Sequence, residues 1–322
     1  MPFLKDLKIE RVEGELAVAL LKLYPTHHKD KSKGFVKIGD KKWFLPYSYL
    51  EQGDEIFNFE TRPDDTWIIT YPRSGTTLTQ ELVWLVANNM NFDEAYRRPL
   101  AERFPFLEIS LIREVKLFAS NTDEQKVISS IEFVQNQPSP RFIKSHLSLD
   151  LLSTVANNDC KIIYVARNPK DVVVSYYNFL KDLNVYQGTF EQMCNEFLNS
   201  HASYTPYWEH VKSAWAIRHK PNVLFLFYED LTKNLPENIK KVATFFNKTY
   251  NNEQIAKLAE HLNIDNFRKN PMVNRGRELK PELFIRQGKT GSWKEIFTPE
   301  LEKRFNEWTV DNLKDTDLIF PD

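Results

Sequence analysis

The chain has 322 residues, of which 42% are hydrophobic, 13% aromatic and 27% charged, proportions that support a sizeable globular core and exclude a mainly disordered or fibrous chain. Its 43 basic and 44 acidic residues leave a formal net charge of -1, so no global field holds a nucleic-acid backbone or an anionic membrane, and any anion has to be gripped by local groups. The two cysteines, Cys160 and Cys194, each lie in an apolar stretch; they support neither a disulfide framework nor a thiolate metal site and fit a reducing, cytoplasmic setting.

The opening MPFLKDLKIERVEGE has no apolar signal core, and runs such as LVWLVANNM are far shorter than the roughly 20 residues a bilayer span needs, so the chain reads as soluble and unprocessed. No repeat or Gly/Ser-rich linker divides it, and a single domain over 1–322 is expected, entered through an N-terminal segment, 1–60. Within that segment Phe35 to Pro46 reads as a hairpin about Gly39-Asp40. Thr66 to Tyr71 (TWIITY) is a short buried-type strand, PRSGTT a tight turn, and TQELVWLVANN a helix with Leu82, Leu85 and Val86 at helical spacing. Two more strands are RFIKSH (Arg141 to His146) and KIIYVAR (Lys161 to Arg167), the second followed by a helix that Pro169 and Asp171 suit as a start. A fourth strand is expected over Val223 to Asp230 (VLFLFYED), then a helix at ENIKKVATFF. Short apolar strands alternating with helices predict an α/β fold with a parallel sheet covered on both faces and ligands at the strands' C-terminal ends.

Chemistry enters at Tyr71-Pro72-Arg73-Ser74-Gly75-Thr76-Thr77. A strand that ends in a glycine-bearing turn and opens a helix offers backbone N–H groups and a positive dipole end to an anion. Ser74, Thr76 and Thr77 add hydroxyls, and Arg73 adds a guanidinium fork suited to phosphate or sulfate oxygens. The NTPase loop pattern GxxxxGK[ST] is not met, since no lysine follows Gly75 and no glycine stands at the required offset. By itself the stretch also fits an ordinary turn before a helix. Elsewhere, Lys144 and His146 stand two apart at the end of a strand, so both are expected to enter one site.

TYPRSGTT, FIKSHLSLDLL, YVARNPKDVVVSYYNF, FYEDL and IRQGKTGSWKEIFT occur in this order, and together they resemble the cytosolic sulfotransferase family, with matching pieces from about Phe35 to Thr298. The loop PRSGTT and the run FVKIGDKKWFLP are most similar to insect members. The resemblance implies a phosphate-binding-loop-like α/β domain that uses 3′-phosphoadenosine 5′-phosphosulfate (PAPS) as donor, leaves PAP as product and sulfates an acceptor hydroxyl or amine without a metal. It implies His146 as catalytic base, Lys144 and Arg73 as stabilisers of the transferring and leaving oxygens, and Ser74, Gly75, Thr76 and Thr77 as the cradle of the 5′-phosphosulfate. By the same resemblance Arg167 and Ser175 take the 3′-phosphate, Ser175 also counting in the catalytic group; Tyr228 contacts the adenine side, and Arg286-Gln287-Gly288 closes over the 3′-phosphate. Phe106, Phe179, Tyr204 and Phe284, with Lys144 and His146, line an apolar acceptor pocket for a phenol, steroid or retinoid-like alcohol.

The departures from the family pattern cluster at the nucleotide. Leu78 stands where the family has Trp, and Leu262 and Ile264 stand for Thr and Phe, which reduces stacking surface for the base. Gln287 replaces a Lys, Ser145 replaces the usual Thr, and Arg73 replaces a Lys. The dimer motif keeps Lys294 and Thr298 but has Pro299 and Lys303 in place of Val and Glu, so a homodimer is left open. Three alternatives stand beside transfer: a kinase, which leaves FIKSH unexplained, a non-catalytic carrier of a lipophilic ligand, and a dehydratase acting through a sulfated alcohol.

Overall fold

In the computed structural model, residues 7–25, 34–112, 117–118, 127–274, 285 and 288–321 are described. Ile9–Arg11 (β1), Phe35–Ile38 (β2) and Trp43–Pro46 (β3) form a small antiparallel sheet in that order. The expected hairpin is thus present, with Phe35 opposite Pro46 and Ile38 opposite Trp43. Its turn begins at Gly39 with a φ of 71°, left-handed geometry that costs glycine no Cβ clash. Gly14–Leu23 (α1) follows β1, and Tyr49–Phe57 (α2) leads out of the hairpin.

The central sheet is built from the four buried-type strands. Thr66–Thr70 (β4) is buried at every position and ends in the turn that opens Thr76–Ala87 (α3). After a two-residue pair, Leu117–Phe118 (β5) with Val127–Ile128 (β6), come Phe142–Ser145 (β7), Lys161–Ala166 (β8) and Val223–Phe227 (β9). The order is β7-β4-β8-β9, and all pairs are parallel. The chain moves from β4 to β7 on one side and then crosses to β8 on the other. The order therefore reverses at β4, and in open parallel sheets of this kind such a reversal is where ligands bind, at the strands' C-terminal ends.

Strand alternation splits the apolar side chains between two cores. Trp67, Ile69, Ile143, Ile162 and Tyr164 pack with the hairpin and with Pro169–Asp182 (α4), Phe190–Leu198 (α5) and Tyr207–Ala216 (α6). Ile68, Phe142, Ile163, Val165 and Leu226 pack with α3 and three later helices. Those helices are Tyr228–Lys233 (α7), Leu235–Phe245 (α8) and Asn252–Leu262 (α9). Ile264–Lys269 (α10) follows them, and Pro299–Leu313 (α11) closes the first core. The central strands end within a residue of expectation except the fourth. The fourth strand stops at Phe227, and Tyr228-Glu229-Asp230 open α7, where two carboxylates in the first turn suit the positive end of a helix better than a buried strand. Cys160 and Cys194 are buried and unpaired, and no helix among the described residues is long and apolar enough to cross a membrane.

A buried carboxylate ties the N-terminal segment to this body. Glu196 on α5 accepts the Tyr24 hydroxyl at 2.7 Å and the Tyr186 hydroxyl at 2.9 Å. Burial pushes its carboxyl up to about 7 from 4.5. The unfolded chain ionises near the lower value, so folding takes up a proton between the two. This cost is relieved as pH falls through that window and is complete above it. Glu196→Gln is therefore expected to raise the melting temperature by about 2–5 °C at pH 8 and to lose the gain near pH 5. Equal melting temperatures at pH 8 would mean that the two tyrosine hydroxyls already offset the burial.

Candidate active site

The turn after β4 is shaped by two left-handed residues, Arg73 with a φ of 68° and Gly75 with a φ of 98°. An arginine in that region stores strain, as functional turns often do. Gly75 is required for a second reason: a Cβ there would lie 2.4 Å from Cδ2 of Tyr228. Gly75 at the N-cap has no side chain to cap the first turn of α3, which leaves leading N–H groups and the positive dipole end without that partner. The Ser74 hydroxyl is buried and finds no hydrogen-bond partner among the described residues. Buried donors without partners are uncommon, and here one stands in a turn already suited to an anion.

Two strand ends, those of β4 and β8, deliver arginines to this turn. Arg73 donates through Nε to Ser175 Oγ at 3.1 Å and lies 4.5 Å from the centroid of the Phe179 ring. Arg167, at the end of β8, donates to the carbonyls of Arg73 and Lys289, each at 3.0 Å, and sits 4.4 Å from the Tyr228 ring centroid. Its Nε is buried and has no partner among the described residues. One guanidinium thus links the turn, the 288–293 segment and Tyr228. That segment is fixed from α4, where Asn168 caps the helix and Asp171 turns away to accept Gly291 N at 2.7 Å and Ser292 Oγ at 2.9 Å. Ile264 closes against Gly288, where a Cβ would meet its Cδ1 at 2.7 Å. Leu78 is half-buried against the α3-side core and Leu262 is buried in that core. Trp84 is taken up by Arg103, 4.4 Å from its ring. Phe284, Arg286 and Gln287 lie outside the described residues.

Directly after β7 stands His146, a residue that is only partly buried. Its Nδ1 lies 2.9 Å from the Thr70 carbonyl and 3.2 Å from the Thr70 hydroxyl, which in turn contacts Thr76 Oγ1 at 2.7 Å. A carbonyl only accepts, so Nδ1 carries the proton and Nε2 keeps its lone pair. Burial, and then the Lys144 ammonium, hold the pKa of His146 well below the ordinary 6.5, so the ring is neutral at pH 7. Lys144 lies 4.3 Å from the Phe106 ring centroid, and His146 meets Phe106 edge-on at 5.1 Å and Tyr204 at 5.8 Å. The structure therefore brings Lys144, His146, Phe106 and Tyr204 together, and it brings Arg73, Ser175 and Phe179 together.

Four further residues at this site were not read from sequence. Thr70 sets the tautomer of His146 and Asp171 holds the 288–293 segment. Glu108 accepts the backbone N–H of His146 at 2.6 Å and the Ser145 hydroxyl at 2.9 Å, and burial pushes its carboxyl up to about 7. His210 donates to the His146 carbonyl at 2.9 Å. An acid inside the apolar run FPFLEIS was the one available signal for Glu108.

Residues 63–317 match the family model for the sulfotransferase domain. The chain belongs to the sulfotransferase family. Sulfotransferase 1 family member D1 of Mus musculus is 36% identical over 285 residues, covering 86% of this chain and 92% of that protein. Luciferin sulfotransferase of Photinus pyralis is 34% identical over 301 residues, covering 88% and 81%. A retinol dehydratase solved with androsterone and the inactive cofactor PAP superposes with a TM-score of 0.88 at 34% identity, over 100% of this chain and 99% of that one. A retinol dehydratase structure with retinol and PAP also gives 0.88 at 34% identity, over 100% of each chain. In this sulfotransferase Thr298 caps α11 by accepting Leu301 N at 3.2 Å, and Pro299 occupies the first turn.

Proposed function

We propose that this sulfotransferase carries the sulfuryl group of PAPS onto the hydroxyl of a small lipophilic acceptor, with His146 as the base. The observation that carries this reading is a neutral imidazole, its tautomer set by Thr70, beside an uncapped helix start that holds an unpartnered buried hydroxyl. The donor fits the residues present. Ser74 Oγ and Arg167 Nε are buried donors in search of acceptors, and the Gly75–Tyr228 approach leaves room for no added side chain in the turn. Bound there, PAPS supplies a sulfuryl group already activated by its phosphate leaving group.

The chain's own residues then divide the work. His146 Nε2 takes the proton of the acceptor hydroxyl, worth about 10²–10⁴ in rate. Lys144, fixed against Phe106, places a positive charge beside the reacting oxygens, and Arg73 does so from the turn. The α3 N–H groups, Ser74, Thr76 and Thr77 hold the 5′ end of the nucleotide, and Arg167 with Ser175 its 3′-phosphate. Phe106, Phe179 and Tyr204 exclude water and favour an apolar acceptor. The half-buried Leu78 offers the adenine less stacking surface than an indole does.

A second reading has a specific support, the likeness over the full chain to a retinol dehydratase. In it the sulfated alcohol loses sulfate by C–O cleavage while a proton leaves a neighbouring carbon, and an alkene results. Incubation with labelled PAPS and a panel of phenols, sterols and allylic alcohols, with products identified by mass, separates the readings: labelled ester marks transfer, free labelled sulfate with an alkene marks dehydration, and binding without turnover marks a carrier. Within the same assay Gly75→Ala is expected to weaken PAP binding at least about tenfold, since both the φ of 98° and the Tyr228 contact oppose a Cβ. Unchanged PAP affinity in a folded variant would show that the turn takes no part in nucleotide binding.

A further inference from the structure

The strand ladder that fixes β7 ends at Ser145, one residue before the base. Beyond that point two buried side chains take over the backbone of His146. Its N–H donates to Glu108 Oε1 at 2.6 Å, and its carbonyl accepts from His210 Nε2 at 2.9 Å. Both side chains belong to fully buried residues. We propose that Glu108 and His210 are a pair of positioning residues that clamp the peptide groups of His146 from opposite sides and so aim its Nε2 at the acceptor.

Each arm of the clamp is itself held. Glu108 closes a segment that runs beside β7, with Lys144 N donating to Pro105 O and Leu107 N donating to Lys144 O, both at 2.9 Å, so the carboxylate is delivered by the same backbone pairing that places Lys144 and Phe106. Its second oxygen takes the Ser145 hydroxyl at 2.9 Å, which also accepts Leu147 N at 3.0 Å. His210 lies in the second turn of α6. Since a carbonyl cannot donate, Nε2 of His210 carries its proton, and Nδ1 accepts from the Tyr164 hydroxyl on β8 at 2.7 Å. Tyr164 therefore selects the tautomer of His210 that can grip His146. With the backbone held at both ends and Nδ1 held by Thr70, the ring keeps one orientation, and no part of this depends on contact with nucleotide or acceptor. A displacement of even an ångström at a reacting atom is costly in rate, which gives such a clamp its purpose.

This inference rests on the assignment of His146 as the base, and its test separates the two. Steady-state kinetics, PAP affinity and melting temperature are measured for His210→Phe, His210→Gln, Tyr164→Phe, Glu108→Leu, Glu108→Gln, His146→Ala and the double variant His146→Ala/His210→Phe. Loss of a buried hydrogen bond to the base should lower kcat about five- to fiftyfold in His210→Phe and Glu108→Leu, with PAP affinity held within about twofold. His210→Gln and Glu108→Gln, which retain a donor and an acceptor at the same places, should recover most of the rate. In the background of His146→Ala the His210→Phe change should add less than about twofold, because the clamp has nothing left to aim. Should His210→Phe fail to fold, Tyr164→Phe, which removes one hydroxyl, should still lower kcat severalfold with unchanged PAP affinity. The clamp is overturned if folded His210→Phe or Tyr164→Phe variants keep the wild-type kcat, or if His210→Phe costs as much without His146 as with it. Full activity in His146→Ala overturns the assignment of the base instead.

Discussion

Replacing His146 with alanine is expected to lower kcat by about two to four orders of magnitude while PAP affinity stays within about twofold. Among the described residues the ring reaches the turn after β4 through Thr70 and Thr76, and on the proposed reading its Nε2 faces the acceptor rather than the nucleotide. The pH dependence provides a second signature. A histidine base in water loses its lone pair near pH 6.5, but burial and Lys144 keep this one neutral well below that. The acid limb belonging to this group should therefore fall below pH 6.5 in the rate at saturating acceptor, and should vanish in His146→Ala. Residual activity within a few-fold of wild type, or a residual rate that keeps the same limb, would transfer the proton-accepting role to another group.

How far the sequence carried this reading depends on where the partners of each residue lie. The four central strands were legible because they are short, apolar and bounded by turn residues, and the hairpin because Gly39 stands between two β-prone runs. The strand β1 was not, since Ile9-Glu10-Arg11 has no apolar alternation of its own and is a strand only through the edge of β2. The end of β9 was misplaced because Tyr228 is as good a strand residue as Phe227; the acids that follow it decide for a helix. At the site, most residues proposed to hold the donor sit in or beside strand-to-helix turns whose chemistry is local and therefore readable. Glu108 and His210 reach backbone groups of a residue 38 and 64 positions away, and a peptide group leaves no mark in a sequence that would pair it with a side chain. Such supporting residues become visible only when the fold has brought the segments together.

Arg167→Ala is expected to weaken PAP binding by about 1.5–3 kcal/mol, the range for hydrogen bonds to charged groups, or roughly ten- to 150-fold. The guanidinium is buried, so water cannot take over its role, and it also holds the carbonyls of Arg73 and Lys289, so the turn and the 288–293 segment lose their common anchor. Arg167→Lys keeps the charge but cannot serve both carbonyls and a phosphate at once, and should fall between wild type and alanine. The acceptor Michaelis constant at saturating donor should change little. What identifies the phosphate in question is a comparison of PAP with the nucleotide that lacks the 3′-phosphate, titrated into both proteins. If Arg167 grips that phosphate, deleting the side chain and deleting the phosphate remove the same interaction, and the two losses will not add. If they add fully, Arg167 is bracing the turn through its two carbonyl contacts while another group holds the 3′-phosphate, and the drop in affinity reports the cradle's shape rather than a charge pair.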